Sequence, residues 1–202
     1  METFHGWWIF SLFVLIVFAM LIGRAAPTES VLGVLVDSRG RYSLTHFQVV
    51  TWTIVILSSL VGALIASGWT VDQLKLSPEL LGLMGISAGS GVLATGVKAA
   101  KDSAEKARVA RFGVEGLELS DGNKRTIGRS LSQVWLLEEG DQADQVIDVT
   151  KFQNFVFTII AVFFYVTLAC KQGKIPELPE DVVWLIGISH AGYVGGKAPD
   201  KG

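Results

Sequence analysis

Long runs of apolar residues follow one another along the chain, with polar and charged residues collected in the segments between them. A bilayer span needs about 20 mostly apolar residues to cross a hydrocarbon core about 30 Å thick. Five runs approach that length, so the pattern predicts an all-α polytopic membrane protein with five transmembrane helices. The predicted spans cover residues 7–22, 47–67, 80–97, 152–170 and 182–196.

The first and last runs each leave an alternative open. Residues 182–196 would reach only about 22 Å at about 1.5 Å per residue, so this run begins near Pro179, lies in a thinned bilayer or forms a partly re-entrant helix. The first run can be a secretory signal, because Ala25 and Ala26 after it resemble a cleavage region. No Lys or Arg precedes the run and Arg24 follows it, which favours an uncleaved helix with its N-terminus outside.

The hydrophobic pattern occurs twice. Residues 44–54 return as residues 149–159, and each copy leads to a second helix that carries Gly-Ile-Ser. Two helices per copy is an even number, so both copies enter the membrane from the same face. This predicts a tandem parallel two-helix repeat with a pseudo-twofold axis along the membrane normal. The predicted organisation is an N-terminal helix and linker at 1–30, repeat one at 31–98, a cytoplasmic helix extension and linker at 99–132, and repeat two with the C-terminal tail at 133–202.

Polar residues mark the predicted starts of the helices. Thr45 with Gln48, and Thr150 with Gln153, have the Thr-x-x-Gln spacing of a capping box, in which two side chains satisfy free amides at a helix N-terminus. We expect both pairs to cap the helices where they enter the membrane. Ser77 is predicted to cap the third helix.

Small residues crowd the second helix of each copy. Helices associate in lipid by close packing, and glycine lets two backbones approach each other. We therefore expect these two helices to be buried against protein, with Gly-x-x-x-Gly spacings at their contacts. The residues predicted to pack helices or to line a pore are Gly85, Ser87, Gly89, Gly91, Gly187, Ser189, His190, Gly192, Tyr193 and Gly196.

His190 is the one ionisable side chain predicted to lie well inside a span. It can line a polar path or act as a proton switch, because an imidazole titrates near a pH of about 6.5. The alternative is a structural role, in which a neutral imidazole is hydrogen-bonded to a neighbouring helix.

Composition and charge fit a membrane protein. Half of the residues are hydrophobic and 18% are charged, which is below the roughly one-quarter charged residues of soluble domains. Lys and Arg divide 14 to 3 between the two predicted sides of the membrane, and the richer side is expected to be cytoplasmic. The prediction is an inner-membrane protein with its N-terminus outside and its C-terminus in the cytoplasm. A net charge of −2 without a basic stripe gives no support for nucleic-acid binding.

The segment from Lys98 to Lys151 carries 19 charged residues and is predicted to lie in the cytoplasm. Residues 98–112 are Ala-rich and should continue the third helix beyond the membrane, and residues 113–129 are typical of a linker. We expect this segment to be available to a protein partner. No phosphate-binding loop, zinc cluster or nucleophile with its base is recognisable, so no enzyme activity, catalytic residue, cofactor or metal site is predicted.

Two motifs carry a resemblance. Phe-Gln-x-x-x-Trp-Thr at residues 47–53 and Gly-Ile-Ser-His-Ala-Gly-Tyr-Val-Gly-Gly-Lys at 187–197 resemble a group of bacterial polytopic membrane proteins that carry such a helical hairpin, often once. The resemblance covers residues 31–98 and 133–197. The first copy has Val92 and Leu93 in the region where the second copy has its Tyr, so only the second copy matches the full motif. The resemblance implies a membrane location and brings no activity with it.

Two functions from different classes remain. The first is a homo-oligomeric pore or channel for ions or small solutes, with the small-residue helices near its axis. The second is a non-transporting membrane scaffold or partner subunit of a larger complex. In both, the expected partners are the lipid bilayer and further copies of the chain.

Overall fold

The computed structural model describes residues 2–26, 30–37, 40–70, 77–112, 130–138 and 142–195. Within these ranges the chain is all-helical, and its five α-helices fall at the five predicted apolar runs. The third helix continues through Phe112, as the Ala-rich sequence predicts. The predicted linker at 113–129 and Gly196 lie outside the described residues. The helices are α1 Glu2–Ala25, α2 Leu44–Ala66, α3 Pro78–Phe112, α4 Val149–Gln172 and α5 Glu180–Gly195.

Three of the described helices are long and apolar enough to cross a membrane: Thr3–Ala25, Leu44–Ala66 and Val149–Gln172. The apolar part of α3 is shorter, at Pro78–Leu93. Helix α5 has 16 residues and begins directly after Pro179. Large apolar side chains such as Phe13 and Phe163 are exposed on the outside of the bundle, as is typical of helices that lie in lipid.

Helices α1 and α2 pack antiparallel with their backbones in close contact. A Cβ atom at Gly62 would lie 2.7 Å from the Cα of Trp8, so only glycine fits there without a shift. The indole Nε1 of Trp8 donates a hydrogen bond of 3.1 Å to Ser58 Oγ. His5 Nε2 donates to the carbonyl oxygen of Cys170 at 2.8 Å, which ties the start of α1 to the end of α4.

The same small structure precedes α2 and α4. A 3₁₀ turn at Gly33–Leu35, and another at Leu131–Val134, is followed by an isolated antiparallel bridge. The bridges join Val36 to Tyr42 and Leu136 to Ile147. The helix then begins two residues after the second bridge residue. We call residues 30–43 and 130–148 the lead-in segments, and the end of the bundle where they lie the lead-in end.

The predicted capping boxes are wrong. Helix α2 has Ser43 at its N-cap, without a capping side-chain hydrogen bond. Asp148 caps α4, and its Oδ1 accepts from the backbone N–H of Thr150 at 3.0 Å and of the next residue at 3.2 Å. The N-cap of each helix therefore lies two residues before the predicted one. The bridges of the lead-in segments set these starts, which places Thr45 and Thr150 in the first turn and both glutamines in the second.

The predicted cap of α3 is confirmed. Ser77 Oγ accepts a hydrogen bond of 3.3 Å from the backbone N–H of Leu80. The backbone N–H of Glu79 and the Ser77 hydroxyl lower the pKa of the exposed Glu79 carboxyl below its usual value. A carboxylate at this position also complements the positive end of the helix dipole.

The two hairpins lie side by side. Helix α2 packs against α1, α3 and α4, and α5 packs against α3 and α4. Like helices are therefore neighbours, with α2 beside α4 and α3 beside α5. A twofold axis through the four helices would place α2 opposite α4 and α3 opposite α5 across the bundle. At most one of these two pairs could then be in contact along its length. The predicted pseudo-twofold arrangement is wrong, and the different burial of Gln48 and Gln153 agrees with this.

Buried side chains form clusters at successive levels of the bundle. The apolar layer consists of Trp52, Val55, Ile56, Leu80, Leu83, Ala161, Tyr165, Leu178 and Ile186. The lead-in cluster, at the lead-in end, consists of Tyr42, Leu44, Val134 and Tyr193. A third cluster, Phe4, Trp8 and Ala169, joins α1 to α4 near the opposite end. Between the first two clusters the buried positions are mostly polar.

Candidate functional site: a buried polar layer

Seven buried polar side chains lie on the same helix faces as the apolar layer, closer to the lead-in end. On α4, for example, Asn154 and Thr158 continue the buried face of Ala161 and Tyr165 at helical spacing. On α3, Ser87 follows Leu83 by one turn. We call this set the polar layer. It consists of Gln48 on α2, Ser87 and Ser90 on α3, Asn154 and Thr158 on α4, and Ser189 and His190 on α5.

One half of the polar layer joins α2 to α4. The side chain of Gln48 is only 1% exposed. Its Nε2 donates to Asn154 Oδ1 at 2.9 Å and to Thr158 Oγ1 at 2.8 Å. Both amide hydrogens of Gln48 are thus used, and the Thr158 hydroxyl donates in turn to the carbonyl oxygen of Asn154 at 2.8 Å. In lipid such interhelical hydrogen bonds contribute about 0.6–2 kcal/mol each.

The other half joins α3 to α5. Ser90 Oγ donates to the carbonyl oxygen of Ser87 at 3.1 Å and lies 2.6 Å from His190 Nδ1. The direction of the bond between Ser90 and Nδ1 depends on which ring nitrogen of His190 carries the hydrogen. The other ring nitrogen, Nε2, has no partner among the described residues. The hydrogen bond to a neighbouring helix, which the structural interpretation of His190 required, is present.

The glycines predicted to pack α3 and α5 against protein do not do so within one chain. A Cβ atom at Gly85, Gly89 or Gly192 would meet nothing within 4 Å. The two helices contact each other through other faces, where the Ile86 side chain would lie 3.4 Å from a Cβ at Gly187. The expected burial of Gly85 and Gly192 is therefore wrong for the single chain.

The remaining predicted residues are divided between core and lead-in end. Ser87, Ser189 and His190 belong to the polar layer, and Tyr193 belongs to the lead-in cluster. Gly91 is buried, because a Cβ there would lie 2.9 Å from Thr45 Cγ2. Thr150 and Gln153 are exposed, in contrast to their counterparts Thr45 and Gln48.

An apolar groove with a volume of about 520 Å³ lies on the outside of the bundle between α2 and α3. Ala88 and Val92 of α3 line it and are exposed at helical spacing from Gly85. The groove and the exposed glycines of α3 therefore form one continuous surface. The groove residues are Val34, Thr45, His46, Val49, Val50, Ala88, Gly91 and Val92.

Sequence reasoning missed the Gln48–Asn154–Thr158 network. The available signal was the occurrence of Asn154 and Thr158 four residues apart within an apolar helix, since such a pair shares one face. A second missed contact holds the opposite half of α2 to α4. There, the Ser59 and Tyr165 hydroxyl oxygens lie 2.6 Å apart, and the ring of Tyr165 stands edge-on to Trp52 with centroids 6.5 Å apart.

Fold and site together define a helical protein with membrane-spanning character and a buried polar layer. Comparison of the chain with protein-family models, with curated proteins and with solved structures finds no match.

Proposed function

We propose that all five helices cross the cytoplasmic membrane, with the N-terminus outside and the lead-in end in the cytoplasm. Packing supports this proposal, because α3 and α5 lie against α2 and α4. Trp184, Leu185 and Ile188 of α5 are exposed apolar residues, which lipid would cover. The division of Lys and Arg, 14 to 3, supports the orientation.

The two hairpins are proposed to be copies of one ancestral unit. The lead-in segments support this, because each has a 3₁₀ turn, a bridge and a helix start in the same order. Equivalent side chains also make equivalent contacts. His46 Nδ1 donates to the carbonyl oxygen of Val36 at 3.0 Å, and Lys151 Nζ donates to that of Leu136 at 2.9 Å. Each acceptor is the first bridge residue of its lead-in segment.

The function that this geometry supports best is that of a self-associating membrane scaffold. The observation that carries it is the open space around Gly85 and Gly89 on α3, beside an apolar groove. Two helices approach most closely in lipid where glycines face each other. A second copy of the chain is proposed to seat its own α3 on this surface. The charged segment at 98–151 would then dock a cytoplasmic protein.

Conduction through a single chain has less support. The apolar layer crosses the bundle with Trp52, Ile56, Leu83, Tyr165 and Ile186, all at most 1% exposed. The lead-in cluster lies at the other side of the polar layer. Water or ions would have to displace these packed side chains to pass between the four helices.

Self-association is tested with Gly85→Leu and Gly89→Leu, measured by native mass spectrometry of the protein released from lipid nanodiscs. A leucine at either position would hold a partner helix away, so the oligomer should dissociate toward monomer. Gly6→Leu is the matched control, because a Cβ at Gly6 of α1 also meets nothing within 4 Å. An oligomer that is unchanged in both variants, or a wild-type monomer, would contradict the scaffold.

A homo-oligomeric pore remains the second candidate, and the polar layer is the observation that favours it. Hydroxyl, amide and imidazole groups at this depth would supply polar surface if helices separated at an interface between copies. Flux assays on liposomes separate the two functions. Reproducible ion or solute flux that His190→Ala changes supports the pore, whereas tight liposomes containing intact oligomers support the scaffold.

A further inference from the structure

Five polar atoms beside or within the polar layer have no hydrogen-bonding partner in the part of the chain that the structure describes. All five residues are more than nine-tenths buried. Buried polar groups in native proteins are almost always hydrogen-bonded to protein or to bound water. The atoms are Trp52 Nε1, Ser87 Oγ, Asn154 Nδ2, Ser189 Oγ and His190 Nε2.

These atoms come from four helices at a similar level of the bundle. Trp52 is the apolar-layer residue of α2 nearest to the lead-in end. The other residues lie one or two turns from an apolar-layer residue on the same face of their helix, again toward the lead-in end. The pairs are Ser87 with Leu83, Ser189 and His190 with Ile186, and Asn154 with Ala161.

The chemistry of the five atoms is mixed. Trp52 Nε1 and Asn154 Nδ2 can only donate, and Asn154 Oδ1 is already bound to Gln48. His190 is bound to Ser90 through Nδ1, so Nε2 is the ring nitrogen without a partner, and it donates or accepts according to the tautomer. The two serine hydroxyls donate and accept. Water donates and accepts, so it satisfies the indole, the amide and both hydroxyls, and it satisfies the imidazole in either tautomer.

We propose that the polar layer is a hydration site, in which bound water joins Trp52 and Asn154 to His190 through the hydroxyls of Ser87 and Ser189. A buried water typically makes about three hydrogen bonds, and a polar pocket with several partners retains it. The apolar layer and the lead-in cluster enclose this water on both sides. It is a structural part of the bundle and requires no open path.

The test is radiolytic footprinting of the full-length protein in nanodiscs, since hydroxyl radicals formed from bound water oxidise the side chains beside it. Trp52 should be oxidised several-fold faster than Trp8. Trp8 is the matched control, because it is also buried but its Nε1 is bonded to Ser58. Equal oxidation of the two indoles would overturn the proposal.

The combined variant Ser87→Ala and Ser189→Ala should reduce the oxidation of Trp52 to the level of Trp8. Ser11→Ala should leave it unchanged, because this buried hydroxyl bonds its own helix at the Trp7 carbonyl, 2.8 Å away. If the double variant does not fold, a high-resolution density map of the wild type decides whether water is bound in the polar layer. Solvent density beside Ser87, Ser189 and His190 supports the site, and direct pairing of these side chains excludes it. Neither readout depends on the oligomeric state, so the proposed scaffold can fail independently.

Discussion

At the residue scale, the contact between α1 and α2 depends on the missing side chain of Gly62. Gly62→Ala places a Cβ 2.7 Å from the Cα of Trp8, and the two backbones must separate. We expect a loss of about 1–3 kcal/mol in the free energy of unfolding, the usual cost of overpacking. Denaturant unfolding of the reconstituted protein measures it. Gly6→Ala, which adds the same atom in open space, should not destabilise, and an equal loss in both variants would contradict the contact.

Gln48 and Gln153 occupy the same position in the sequence repeat but different environments. Gln48→Leu removes two hydrogen bonds to α4 and leaves buried acceptors behind. The expected destabilisation is about 1–2 kcal/mol, in the range of interhelical hydrogen bonds in lipid. Gln153→Leu, at an exposed position, should change stability little. Similar losses for both, in the same unfolding assay, would mean that the two copies share one environment.

The sequence could not distinguish these two glutamines. Both stand three residues after a threonine, and that spacing alone predicts a cap at each. The actual helix starts follow from Ser43, Asp148 and the bridges before them, which join residues that no local pattern pairs. Ser77 was predictable, because its cap depends only on the residues directly after it.

At the element scale, the lead-in segments are joined by charge. Arg41 Nη2 lies 2.6 Å from Asp144 Oδ1, so the first segment is bound to the second. Lys151 Nζ, at the start of α4, lies 2.7 Å from Glu138 Oε1. The lysine side chain is 1% exposed and that of Glu138 is 11% exposed. Ion pairs removed from water in this way depend on both partners, since either charge alone would be left without compensation.

Lys151→Met should therefore destabilise the protein by about 1.5–3 kcal/mol, the range for hydrogen bonds to charged groups. Adding Glu138→Gln to the Lys151→Met variant removes the carboxylate that has lost its lysine partner, so it should recover part of this loss in stability. A double-mutant cycle on unfolding free energies measures the coupling. Lys171→Ala is the control at an exposed lysine near the other end of α4. Strictly additive losses from the Lys151 and Glu138 substitutions would exclude the pair as a stabilising contact.

The five helices were predictable because each falls at a run of mostly apolar residues, and three of the described helices have the length of a membrane span. The contact between the two lead-in segments was not predictable, because Arg41 and Asp144 are far apart in the chain. The faces of α3 were misjudged for a related reason. Gly85 and Gly89 show that a surface fits close packing without showing which helix packs there.

At the scale of the whole molecule, the proposed orientation places Thr70 outside the cell and Ser130 in the cytoplasm. Both side chains are exposed, and Cys170→Ser provides a background without cysteine. In intact cells, Thr70→Cys should react with a membrane-impermeant maleimide, and Ser130→Cys only after permeabilisation. Labelling of both from one side would contradict a membrane crossing by α3, the helix that lies between these two positions.

The close contact of α1 with α2 also bears on how the protein is made. The two helices are complete once residue 66 has been synthesised, and their tight glycine contact needs nothing from later residues. In the proposed membrane arrangement, this pair would leave the translocon together while the ribosome is still translating α3. The remaining helices would then assemble on a pair that is already packed, and Gly62 would act in biogenesis as well as in the mature fold.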